Sequence, residues 1–206
     1  MATQAHNKKR ALTFLAGLLL LSGCAYRTDA RALVGPPDGL PANVLLVAPL
    51  AYEHDWTGFY RAMFRGLRVE PRGERRVERR ELTFLLEDLL TRRGYEVRAW
   101  KKEWGEGRLP PASWEGAGLR GFIERRRALL EGTGAQALVF NHALSRCTSR
   151  RRCEAALQIA VVDLKEGTLL WRGSARAESY FDQGDEMRAA LEAALERFPP
   201  PASRPR

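Results

Sequence analysis

Between Gly134 and Glu178 the sequence spells a β-meander, and no other stretch restricts the fold so tightly. An apolar strand, Ala137–Phe140, leads to an arginine-rich tip closed by Cys147 and Cys153. Leu157, Ile159 and Val161 then alternate with Gln158, Ala160 and Val162, and Leu169, Trp171, Gly173 and Ala175 alternate with Leu170, Arg172, Ser174 and Arg176. Period-two alternation is the mark of a strand, whose successive side chains point to opposite faces. Asp163-Leu164-Lys165-Glu166-Gly167-Thr168 supplies the Asp and Gly of a hairpin turn between the last two runs. The chain upstream must therefore provide sheet and helix that pack on this meander.

Asn43–Leu50 is apolar without alternation, as expected of a first strand covered on both faces. Tyr52–Phe64 follows, with Trp56, Phe59, Tyr60 and Phe64 crowded together. It suits either a partner-binding loop or a short amphipathic helix capping one end of the sheet. The mixed charges of Arg65–Arg80 predict a solvated stretch, and Leu82, Leu85, Leu86, Leu89 and Leu90 recur at the spacing of a helix with one buried face. Gly94 stands where that helix needs a left-handed cap, and Tyr95–Trp100 alternates as a second strand. Lys101–Gly118 is rich in Gly and Pro; its Trp104 and Trp114 either belong to a binding loop or pack on the domain's edge. A second helix carries Leu119, Phe122, Ile123, Leu129 and Leu130, and a last one, from about Asp185, is stopped by Pro199-Pro200-Pro201. The expected fold is α/β: a single domain at 43–198, a mixed sheet in strand-helix-strand-helix-strand order, a C-terminal β-meander and a final helix, with a Pro-rich tail at 199–206.

The first residues do not belong to that domain. Lys8, Lys9 and Arg10 precede an eleven-residue apolar run, Ala11–Leu21, about half of what a bilayer-spanning helix needs, so residues 1–23 have the make-up of a signal peptide. Leu21-Ser22-Gly23-Cys24 closes it and resembles the bacterial lipobox. The resemblance implies that the Cys24 thiol is diacylglycerol-modified, that the chain is cut before it, and that the new amine is acylated by a chain such as palmitate. Several acyl chains make such an anchor effectively permanent. An Asp in the next position retains enteric-type lipoproteins in the inner membrane, so Ala25 implies the outer membrane, with the domain facing the periplasm. Residues 24–42, with Gly35-Pro36-Pro37 and Gly39-Leu40-Pro41, are then expected to form a lipidated tether.

Removal of residues 1–23 takes Lys8, Lys9 and Arg10 and no acidic residue, so the net charge of +9 falls to +6, nearly all from arginine. A lipidated, secreted chain does not normally meet nucleic acid; its basic surface suits anionic head groups or acidic polymers instead. Cys147 and Cys153 remain in a compartment that permits disulfides, and five intervening residues suit a bridge across a hairpin end. His6, His54 and His142 offer no paired spacing, so a metal is not expected, and neither is any other cofactor.

Four segments, Val44–Leu50, Arg93-Gly94-Tyr95-Glu96-Val97, Gly134–Val139 and Val162–Trp171, resemble the periplasmic domain shared by the curli-secretion lipoprotein family and the lipoprotein activators of penicillin-binding proteins. Members of that fold build secretion pores or activate peptidoglycan synthases. No long amphipathic strand pair of the pore-lining kind is present, and no functional residue is carried over. The resulting expectation is a non-enzymatic, lipid-anchored protein that binds or scaffolds another envelope component, an envelope protein or an anionic polymer. The residues that could carry the contact are Arg146, Arg150, Arg151 and Arg152 at the tip, with Trp56, Trp104 and Trp114. Two alternatives are a subunit of a secretion or trans-envelope ring complex, which would be oligomeric, and a periplasmic hydrolase using the acid/His cluster Glu53-His54-Asp55.

Overall fold

The computed structural model describes residues 26–35, 39–56, 72–149, 152–179 and 186–202. Their strands are β1 (Tyr26–Val34), β2 (Val44–Val47), β3 (Ala51–Trp56), β4 (Glu96–Ala99), β5 (Ala137–Ser149), β6 (Arg152–Asp163) and β7 (Leu169–Ser179). Their helices are α1 (Arg72–Arg92), α2 (Gly116–Glu124), α3 (Arg127–Thr133) and α4 (Glu186–Glu196). One mixed sheet runs β1-β7-β6-β5-β2-β4, with β3 also paired to β5. The result is a single mixed α/β domain, as the sequence predicts.

Strand alternation divides the core between the two faces of the sheet. Leu45, Val47, Ala137, Val139, Ile159, Val161 and Trp171 pack with Leu82, Leu86 and Leu90 of α1 and with Met187, Leu191 and Leu195 of α4. Leu46, Leu138, Phe140, Ala160 and Val162, one residue out of phase, pack with Leu119, Phe122 and Ile123 of α2 and Leu130 of α3. The unbroken apolar run of β2 is thus explained: both of its faces are buried.

The expected first strand, Asn43–Leu50, is interrupted. Proline has no N–H to give the ladder, and at Pro49 the pairing stops. Asn141 of β5 bridges the gap: buried to 3% exposure, its Nδ2 donates to Ala48 O at 2.9 Å. Pairing with β5 resumes at Ala51, opposite His142, and continues to Trp56, opposite Cys147. Ala51–Trp56 is therefore strand, where a loop or short helix was expected from Tyr52; residues 57–71, with Phe59, Tyr60 and Phe64, lie outside the described residues. The second expected helix is two, α2 and α3, because the backbone leaves helical geometry at Arg126 (φ −121°, ψ 9°).

The domain's borders are wider than 43–198. Tyr26–Val34, expected as tether, pairs antiparallel with β7, from Tyr26 opposite Ser179 to Val34 opposite Arg172. Its Ala30 packs against the core, and Leu40 and Ala42 beyond it are buried. The start of the expected Pro-rich tail is docked as well. Leu40 N donates to Pro200 O (2.9 Å) and Ala202 N to Leu40 O (2.8 Å), while Tyr95 Oη donates to Pro199 O and Arg93 Nη1 to Phe198 O, both at 2.8 Å. Prolines cannot donate, but their carbonyls accept, so a Pro-rich segment can be held this way. Residues 203–206, the signal segment 1–23 and Cys24 lie outside the described residues.

Candidate binding site

The two crossovers around β2 lie on opposite faces, β3-α1-β4 on one and β4-α2-α3-β5 on the other. In such a sheet the loops leaving the carboxyl ends of the parallel strands diverge and open a crevice, the usual ligand position in α/β folds. β4 ends at Ala99, and Trp100 N donates to Val47 O at 3.1 Å, which fixes the indole beside the end of β2. Trp100 Nε1 donates to Gly105 O at 3.0 Å, and the Trp104 ring meets it edge-on at 5.7 Å. A cleft of about 210 Å³ results, with Val47, Pro49 and Leu50 as its floor, Trp100 as one wall, and Arg80, Thr83, Phe84 and Glu87 of α1 as the other.

Phe84 is the unusual member. Leu82, Leu86 and Leu90 of the same helix are buried, yet Phe84 is 56% exposed. The Arg80 guanidinium lies 5.6 Å from its ring centre. Glu87, half-buried on the same wall, has its carboxyl pushed above the ordinary value by desolvation. The site is thus apolar, with one cation and one carboxylate on its helical wall. Neither Phe84 nor Trp100 was among the expected contact residues. The signal for Phe84 was present, since it falls off the 82/85/86/89/90 stripe of α1.

The expected contact residues are scattered. Trp104 is half-buried against Trp100, with Lys101 Nζ 5.4 Å from its ring centre, and so stands behind the cleft wall. Trp114 is fully buried: its Nε1 donates to Leu109 O at 2.7 Å and its ring stacks on Phe140 at 6.2 Å. It is a core residue, which corrects its expected role in partner contact. Arg146 is exposed near the end of β5; Arg152 opens β6 and Trp56 closes β3; Arg150 and Arg151 lie outside the described residues. Cys147 is directly opposite Cys153, across adjacent antiparallel strands.

Of the acid/His cluster, Glu53, His54 and Asp55 are consecutive in β3, and only the Glu53 side chain is among those described. Glu53 Oε1 lies 3.1 Å from His142 Nε2. Among the described residues no group of three or more His, Cys, Asp or Glu is placed to hold a metal, and no helix is long and apolar enough to cross a membrane.

No family model and no curated protein matches this sequence. Among solved structures the chain is similar to the PelC dodecamer from Paraburkholderia phytofirmans (12% identity over 81% of this chain and 91% of that one, TM-score 0.44). It is also similar to the LpoB C-terminal domain from Escherichia coli (18% identity over 68% and 85%, TM-score 0.38) and to lipoprotein GNA1162 from Neisseria meningitidis (16% identity over 66% and 83%, TM-score 0.37). Likeness this distant assigns no function.

Proposed function

We propose that this chain is a lipid-anchored protein of a bacterial envelope that binds a partner protein through the cleft at the ends of β2 and β4 and catalyses no reaction. The anchor is acyl chains on Cys24, and Ala25 directs the protein to the periplasmic side of the outer membrane. What supports the anchor is the coincidence of a basic start, a short apolar run and Leu21-Ser22-Gly23-Cys24. The observation that carries the binding role is Phe84, a largely exposed aromatic facing Trp100 across an apolar floor. Such a surface gains free energy by taking an apolar side chain out of water, at about 25 cal/mol per Å². An apolar floor suits a protein partner better than an anionic polymer. In the same compartment Cys147 and Cys153 form a bridge; their directly opposed register is the juxtaposition it requires.

The test is crosslinking in intact envelopes, read by mass spectrometry, for the wild type, Phe84→Ser and Cys24→Ala. The wild type should give a discrete adduct that Phe84→Ser loses while keeping its far-UV spectrum. Labelled palmitate should enter both of these and not Cys24→Ala. An adduct untouched by Phe84→Ser sinks the cleft assignment, and equal palmitate labelling of all three sinks the anchor.

A further inference from the structure

The cross-strand register lines up one end of the sheet. Tyr26 opposes Ser179, Ser179 opposes Cys153, Cys153 opposes Cys147, and Cys147 opposes Trp56. β1 begins at this row and runs away from it, at the same end of the sheet at which β5 finishes and β6 starts. Cys24 is two residues ahead of Tyr26, a reach of at most about 7 Å for extended chain. Where a flexible tether was expected, the strand leaves almost none.

Resting on the reading of Cys24 as the acylated residue, we infer that this end of the sheet is held against the bilayer and meets its phospholipid headgroups. Acyl chains on a residue within about 7 Å of the row draw this end of the domain to the surface. The opposite end, at Asp163 and Ala137, is ten residues further along β6, about 33 Å away. The distribution of charge fits the same direction. One row in from the end, Arg27, Glu178, Glu154, Arg146 and Asp55 carry both signs and three of the five are acids, whereas the outermost charged residue of the described hairpin is Arg152. Guanidinium groups suit phosphate oxygens, and Tyr26 and Trp56, at the two flanks of the row, are residue types that settle at membrane interfaces.

The occupant of this surface is therefore the protein's own membrane, and a partner docks from the sides or from the far end. The experiment uses the acylated chain purified from membranes, its mass establishing acyl groups on Cys24. The chain is reconstituted in nanodiscs of phosphatidylethanolamine and phosphatidylglycerol that carry a gadolinium-chelating lipid headgroup. Amide relaxation enhancement should be several-fold larger at Arg27, Thr148, Ser149 and Ser179 than at Val44, Gln136 and Leu164. Equal enhancement at the two groups, or none at the first, in a chain of acylated mass overturns this orientation alone. A mass without acyl groups overturns the anchor and the orientation with it.

Discussion

Gly173→Ala adds one methyl group to β7, and its cost can be worked out from the surroundings. The Trp171 indole, on the same face two residues earlier, folds over the bare Cα of Gly173. A methyl there would fall inside van der Waals contact of Trp171 Cη2 and lie 2.5 Å from its Cζ2. The ring has nowhere to retreat. It is 2% exposed, its centre is 4.7 Å from that of Phe198, and a methyl at Gly35 would collide with its other side. Overpacking of this kind costs about 1–3 kcal/mol. For a chain of this size each kcal/mol moves Tm by about 2–4 °C, so thermal unfolding should drop by roughly 2–12 °C. Trp171→Phe removes the ring atoms that collide, so the same glycine substitution in that background should cost less, with a coupling of at least about 1 kcal/mol. Near-ultraviolet circular dichroism melts of the four chains give the cycle. An unchanged Tm for Gly173→Ala, or an equal penalty in both backgrounds, refutes the packing argument.

Tyr95→Phe should cost about 1 kcal/mol in urea unfolding by deleting the bond to Pro199 O, and nothing further in a chain truncated after Phe198, where the acceptor is already gone. Burial raises the Glu87 carboxyl above 4.5, so the folded chain holds its proton more tightly than the unfolded one. The associated stability is complete below pH 4.5 and is lost as pH rises through the raised value. Glu87→Gln should therefore flatten the decline in stability between pH 4.5 and 7, and an unaltered profile counts against a desolvated carboxylate. Alkylation of the mature protein without reductant should leave Cys147 and Cys153 unmodified; rapid labelling of either removes the bridge.

The meander was legible because its alternation is strong and its turn chemistry local: Asp163 Oδ1 accepts from Lys165 N and Glu166 N at 2.8 and 2.6 Å, as an Asp in that position predicts. β1 was missed although Tyr26, Thr28, Ala30 and Ala32 alternate with Arg27, Asp29 and Arg31. Ala30, its residue packed against the core, is small, and Gly35-Pro36-Pro37 just beyond drew the segment towards a linker. What makes it a strand is β7 waiting with an open edge, a tertiary fact. The span of β3 depends likewise on Asn141 mending the ladder across Pro49, a contact with its two ends 93 residues apart. Trp114 stood open between a binding loop and packing on the domain's edge because Pro110-Pro111 and Gly116 announce a loop, and nothing local says that the loop tucks its indole onto Phe140. The cleft was half legible: Phe84 is out of phase with its helix, but Trp100 becomes its counterpart only through the parallel pairing of β2 with β4.

The docked tail gives the molecule a mechanical character. β1 begins beside Ser179, whereas Ala202 is fastened to Leu40, close to where β2 begins at the other end of the sheet. A pull between Tyr26 and Ala202 therefore drags β1 lengthwise along β7. Backbone hydrogen bonds in such a pair lie across the strands, so all eight register partners from Tyr26 to Val34 bear the load together and cannot be unzipped singly. A load hung from Ala202 against a hold on Tyr26 would be borne by a shear-loaded seam.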